Sequence, residues 1–452
     1  MSVGPAGPVG GAPTTVPQDP YALVRTRGYL KLLLVAAVIG FPVCAVAFGF
    51  LALVHELEPL IYQDLPRALG FAGTPIWWPV PMLVVAGLLV GLTVRYLPGS
   101  GGHEPADGLA LSGAPPLSAL PGVVLAALTS LSFGVVLGPE APLIALGGGL
   151  AAGAVRLMDR GMPAQTVATV GAAGSFAAVS ALLGSPLLGA FLLMEVSGLG
   201  GPMLGIVLVP GLLASGLGAL IFTGLGDWTG LGTYSLALHD IPRAAGPTIA
   251  EFGWALVIGL AAGFAGTGVR RFARFLKGHV VRHRVPATVL MGLVVGALAV
   301  AFAATTGKPS SEMLYSGQSA LGSLFRDSAG YTVGALLLLI LCKGLAYCAS
   351  LSAFRGGPIF PALFLGAAGG VVLSHLPGLS LTAGFAMGVG AMCVAMLRLP
   401  MTSVLLATLL LGKSGLTVMP LVIVAVVVAY VVVLRLTPAT APEAPAAAPH
   451  AA

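Results

Sequence analysis

Charge is what this chain has least of. Of 452 residues, 21 are Lys or Arg and 15 are Asp or Glu, 8% in all, where a soluble domain carries about a quarter. So few charges cannot build a surface that faces water. With 57% apolar residues and a mean hydropathy of +1.01, the chain reads as an integral membrane protein. Cysteine is scarce too. Cys44, Cys342, Cys348 and Cys393 stand in apolar stretches without metal-ligand spacing, so they are expected to pack as small hydrophobes. The seven histidines form no cluster, HELEP at 55–59 lacks the second histidine of a zinc-binding helix, and no G-x-S-x-G elbow occurs. Enzyme chemistry, a metal and a cofactor are therefore not expected.

The net charge of +6 is not a nucleic-acid signal, because the basic residues cluster in short stretches between apolar segments. RRFARFLKGHVVRHR, read as a loop, carries Arg270, Arg271, Arg274, Lys277, Arg282 and Arg284, and Arg25, Arg27 and Lys31 precede the first span. Excess Lys and Arg mark the cytoplasmic side of a membrane protein. Both termini are accordingly expected in the cytoplasm, with the chain crossing the plasma or inner membrane many times.

Glycine and proline are abundant instead, 65 and 35 residues. That is too many for a bundle of straight helices, since glycine lets backbones approach and proline starts or breaks helices. Residues 1–24 and 437–452 read as disordered tails rich in Pro, Gly and Ala. Between them, fourteen apolar segments run from 30–55 to 418–436, and several, such as 186–198 and 400–412, are short of a full span; one needs about 20 residues. Such pieces survive in a bilayer only where protein or a water-filled cavity covers their ends.

The chain also repeats itself. GPEAPLIALG at 138–147 and GPIFPALFLG at 357–366 share G-P-x-x-P-x-x-x-L-G, 219 residues apart, and SPLLGAFLLME at 185–195 has a looser echo in LPMTSVLLATL at 399–409. Two halves, 25–240 and 241–436, with matching broken segments point to a duplicated transporter architecture, its substrate site between the repeats near the midplane. In each half a Gly-Pro pair opens a helix whose first N–H groups lack intrahelical partners and whose dipole end is positive. Two such ends converging would bind an anion without a full positive charge. The loop at 99–103 can add hydroxyl, imidazole or backbone N–H donors from Gly99 to His103. Glu140 alone breaks the apolar pattern of its element, where the second element has Ile359. A charge there costs roughly 2.5–3.5 kcal/mol on insertion scales, and an intramembrane ionisable residue is functional by default. A carboxylate at a helix N-terminus resembles the transported anion, so Glu140 is expected to compete with it for the same N–H groups.

These elements resemble those of the CLC chloride channels and chloride/proton antiporters. GPEAP looks like the family's G-K/R-E-G-P helix start, GPIFP like its G-x-F-x-P helix start, and GSGGHEP (99–105) like its G-S-G-x-P loop stretched by two residues. The resemblance runs from about 30 to about 436, to a member without C-terminal regulatory domains. It implies an all-α polytopic inverted-repeat fold of many tilted and broken helices, and a homodimer with one pore per subunit. It puts Glu140 at the gate, with Ser100, Gly102, His103, Gly138, Glu140, Ala141, Gly357, Ile359 and Phe360 around the anion. Either Ser100 or the Gly102–His103 pair could stand at the family's serine. Departures matter: Pro139 and Pro358 each remove a donor, and the tyrosine of the inner mouth would fall in TPATAPEAP, Tyr430 being too early. Val196 stands where family antiporters often carry a proton-relaying glutamate, with Glu195 just before it. Glu195 is read either as part of the proton path with Glu140 or as a structural carboxylate. The expected function is transport of chloride by a pH-gated, uncoupled anion channel; the alternatives are a chloride/proton antiporter and, behind it, a fluoride exporter. Expected partners are chloride or a similar anion, protons, lipid and a second copy of the chain.

Overall fold

Helices here begin where a proline or a small hydroxyl residue precedes an apolar run. Side chains of Ser185, Thr332 and Ser380 accept N–H bonds from Leu188, Ala335 and Ala383 three residues on, satisfying donors that a helix start leaves open. Thr248 and Glu251 form a reciprocal capping box. The computed structural model describes residues 24–109, 113–198, 201–230, 236–238 and 241–437; the two expected tails, Val24 and Thr437 apart, lie outside them.

In chain order the helices are α1 (Arg27–Pro59), α2 (Leu65–Ala68), α3 (Pro79–Tyr96), α4 (Leu120–Ser132), α5 (Glu140–Met158), α6 (Ala164–Leu183), α7 (Pro186–Ser197) and α8 (Gly201–Thr229). After the connection at 230–248 come α9 (Ile249–Arg282), α10 (Arg284–Thr306), α11 (Leu321–Arg326), α12 (Val333–Ala353), α13 (Ile359–Leu373), α14 (Leu381–Leu397), α15 (Pro400–Leu410) and α16 (Gly412–Leu436). Among the described residues there is no strand, only an isolated bridge between Gly138 and Gly357. Nine of the described helices are long and apolar enough to cross a bilayer, while α7, α13, α14 and α15 are shorter. This is a multi-pass membrane protein built from whole and broken helices.

Two of the short helices, α13 and α14, are the most deeply buried. Every residue of α14 from Thr382 to Leu397 is buried, and α13 is buried from Ile359 to Ala368. Gly366 and Gly370 of α13 face Gly388 and Gly384 of α14 so closely that a Cβ would enter the opposite backbone. Small residues at a four-residue spacing let two helices touch along their main chains. The long helices form the outside: Leu30, Leu34 and Val38 of α1 and Leu256, Leu260 and Phe264 of α9 are exposed, an apolar rim suited to lipid.

One expectation fails here. The basic run from Arg270 is helical, because α9 continues through it to Arg282. Ala273 and Val280, two turns apart on one helical face, are buried, so an apolar stripe persists under the charges. At 34 residues α9 is about 51 Å long, well beyond the ~30 Å hydrocarbon core, and its basic end reaches past it.

Candidate functional site

The two Gly-Pro elements meet. Gly138 N–H donates to the Gly357 carbonyl at 2.8 Å and Gly357 N–H to the Gly138 carbonyl at 2.6 Å. Such a reciprocal, antiparallel pair is what a two-fold axis between the repeats generates. Pro139 and Pro358 cap α5 and α13, which open at Glu140 and Ile359. Glu140 is wholly buried, and its Oε1 accepts the backbone N–H of Ile359. Its Oε2 has no hydrogen-bond partner among the described residues. The carboxyl of one repeat thus sits on the amide end of the other. A Cβ on Gly357 would collide with that carboxyl, and one on Gly138 with the carboxyl and the Phe360 ring. Only bare backbone lets the chain lie so close.

Cavities approach this point from two sides. One of about 510 Å³ is lined by Gly99, Gly102, His103, Pro115, Ala141 and Ser175, among others. Another of about 300 Å³ is lined by His55, Glu58, Leu131, Pro139, Tyr315 and Gln318. Pro115 precedes α4 and Leu131 lies near its end, so the cavities lie toward opposite ends of that helix. Pro139 faces one and Ala141 the other, with Glu140 between them.

In the 99–105 loop, Gly99, Gly102 and His103 line the larger cavity. The His103 Nε2 is 2.7 Å from the Gly108 carbonyl. Ser100 is not part of that lining. It adopts a left-handed backbone (φ 51°), and its carbonyl accepts Nε and Nη2 of Arg355 at 3.2 and 3.1 Å. Arg355, 2% exposed, also donates to the Phe354 carbonyl and to Glu104 Oε1, each at 3.2 Å. Lys277 and Arg284 reach the same Glu104 carboxyl at 2.6 and 2.9 Å, and Lys277 also meets Asp107 at 2.6 Å. Burial pushes the Glu104 carboxyl up, but the Lys277 hydrogen bond and the Arg355 and Arg284 charges outweigh it and hold it at about 2. A fixed cation therefore stands close behind the loop, beside an anion site expected to work without a full positive charge. Its donors are directed at carbonyls and a carboxylate.

Glu195 lies elsewhere. Its oxygens accept the N–H groups of Met401 and Thr402 at 2.8 Å and the Thr402 hydroxyl at 2.6 Å. It caps α15, joining the two members of the weaker repeat. The stretch expected to hold an inner-mouth tyrosine lies, after Thr437, outside the described residues.

Three buried groups escaped the sequence reading. Tyr347 of α12 donates its hydroxyl to the Pro358 carbonyl at 2.7 Å and so braces the start of α13. One turn earlier, Lys343 donates to the carbonyls of Glu312, Met313 and Leu314 at 3.2, 3.0 and 2.9 Å, with its ammonium 4.5 Å from the centre of the Phe364 ring. Arg355 is the third. The signal was present for two of them, since ionisable residues inside apolar stretches merit the scrutiny given to Glu140; Tyr347 carried none beyond its i, i+4 spacing from Lys343.

Known proteins share this architecture. The structure is similar to a slow cyanobacterial Cl⁻/H⁺ antiporter (TM-score 0.73, 17% identity, 90% of this chain and 95% of that one). It is also similar to a CLC-type fluoride/proton antiporter (TM-score 0.65, 21% identity, 90% and 96%). In sequence the chain is similar to the YfeO proteins of Escherichia fergusonii (30% identical, 78% of this chain and 81% of that one) and Salmonella paratyphi A (31%, 77% and 82%), whose names refer to ion transport. A family model described as voltage gated chloride channel matches residues 82–434. With paired helix starts, a cavity on each side of Glu140 and a family match over residues 82–434, the chain belongs to the voltage-gated chloride channel family of anion-transporting membrane proteins.

Proposed function

We propose that this protein conducts chloride or a similar small anion as a pH-gated, uncoupled channel, with Glu140 as the gate. The observation that carries the reading is the Glu140 carboxyl bonded to the Ile359 amide between two cavities. An anion passing from one cavity to the other would take that seat, joined by the amides of Phe360 and Ala141 and by Gly102 and His103, with Gly138 and Gly357 giving it room. Protonating Glu140 removes the competing charge, so conduction rises as the pH falls. Val196, apolar where the family's antiporters often carry a glutamate, and Glu195, engaged in capping α15, favour anion movement without protons. The side bearing Lys277 and Arg284 is the cytoplasmic one on this reading, the repeats divide near residue 240, and the chain works as a homodimer in the plasma or inner membrane.

A second reading, a chloride/proton antiporter, is favoured by the antiporters among the similar structures, one of them for fluoride. Purified protein in liposomes, with chloride and internal pH recorded together, separates the two. The channel reading expects dissipative chloride flux that is faster at acid pH, no proton movement with it, and loss of that pH response in Glu140→Gln. Uphill chloride uptake driven by a proton gradient would replace it with the antiporter. An unchanged pH response in Glu140→Gln would remove Glu140 as the gate.

A further inference from the structure

Arg355 stands two residues before Gly357 in the second half, yet its side chain is directed into the first half. Its main-chain N–H donates to the Ser130 hydroxyl at 3.2 Å. Its guanidinium forks over the Ser100 carbonyl and reaches Glu104. A Cβ on Gly101 would touch the Arg355 stem, at 3.4 Å from its Cγ. The fork is planar and pre-organised, which a lysine ammonium is not.

We infer that Arg355 is a positioning residue, which sets the 99–105 loop against the start of α13 and turns the Ser100 carbonyl away from the anion path. The inference rests on the proposed function for its meaning. A carbonyl oxygen facing the path would repel an anion. Here it is tied to a cation that is absent from the cavity lining, while Gly99, Gly102 and His103 face the cavity. In a trans peptide the N–H points opposite to the C=O, so the same tie fixes the direction of the Gly101 amide. Because four of the five guanidinium N–H bonds have protein acceptors, Arg355 acts on an anion through loop shape and through its field, not through contact. Glu104 completes the device. It is the shared acceptor of Arg355, Arg284 and Lys277, and so joins the loop to the basic ends of α9 and α10 as well.

The test uses the full chain, wild type and Arg355→Gln, Arg355→Lys and Glu104→Gln, in two measurements: hydrogen exchange of the 99–105 amides, and chloride flux in liposomes. In Arg355→Gln the loop amides are expected to exchange roughly tenfold faster, and flux to fall by about as much, the scale of one lost charge-assisted bond. Arg355→Lys, with the charge but no fork, should lie between it and wild type, and Glu104→Gln should disturb the loop least. If Arg355→Gln does not purify as a folded protein, Arg355→Lys decides in the same terms. Loop exchange that stays at the wild-type level in the folded variants overturns the inference, whatever the flux does. A wild-type protein that moves no anion would sink the proposed function while leaving the exchange measurement to judge Arg355.

Discussion

At 138–142 and at 357–361 the chain writes the same G-P-x-x-P pattern, yet the first opens its helix with Glu140 and the second with Ile359. Their surroundings differ as much as their residues. The second start is held in place: Tyr347 takes the Pro358 carbonyl, and Arg355 ties the approach to the opposite half. The first start has a carboxyl that crosses to the other repeat's amide. The two halves offer amide ends of like geometry, but one is a braced seat and the other holds an acidic side chain that fits it. On the proposed function, this asymmetry lets a symmetric pore have one gate.

The comparison breaks most sharply at Gly357. The atoms nearest a Cβ there all belong to Glu140. Gly357→Ala should therefore abolish nearly all transport and lower stability by about 1–3 kcal/mol, the usual overpacking range. Combining it with Glu140→Ala should restore the stability, because the obstructed group is gone. Thermal unfolding of the single and double variants in detergent reads this directly. A double variant as unstable as the single one would mean that the carboxyl is not the neighbour that counts.

A smaller effect is expected at the brace. Tyr347→Phe keeps the ring and orphans the buried Pro358 carbonyl, for a cost of about 1–3 kcal/mol. No comparable loss should follow from conservative changes beside the first start, such as Ile144→Val, where about 0.5–1.5 kcal/mol is the norm. Melting temperatures of the two variants, measured side by side, check whether the second start is the more tightly held.

The smallest expected effect lies on the loop that Arg355 grips. The Glu104 carboxyl is held at about 2, below its ordinary 4.5. A depressed carboxylate adds stability that is fully present above its unfolded value and is lost as the pH falls through its folded value. Wild-type stability should therefore decline between about pH 4.5 and pH 2 partly through this group. Glu104→Gln should be less stable than wild type at neutral pH, and the gap should close at the acid end. A gap that is constant across that range would show that Glu104 acts by shape and not by charge.

What could be read from the sequence was whatever local chemistry decides. A Gly-Pro pair ahead of an apolar run marks a helix start by itself, and the 219-residue echo pairs two of them; a lone carboxylate in such a place draws attention on cost alone. The helical segments were legible for the same reason. The bracing was not, because Tyr347, Arg355 and Glu104 acquire their roles from partners far away in the chain, at separations that no spacing rule covers. Ser100 shows the point in miniature: sequence makes it one of two candidates for the family's serine, beside the Gly102–His103 pair, but cannot show that its carbonyl is held by Arg355, 255 residues away. The basic run reads as a loop when charge alone is considered, but Ala273 and Val280 are buried on one face of α9, which runs on to Arg282.

The reciprocal pair between Gly138 and Gly357 has a bearing on biogenesis. Glu140 and the amide it occupies are 219 residues apart, so neither half contains a finished site. During synthesis the first half must wait, with its acidic side chain unmatched, until the second has been threaded into the bilayer. Long-range closures of this kind form late, and a chain interrupted before residue 357 would lack the amide that the Glu140 carboxyl engages.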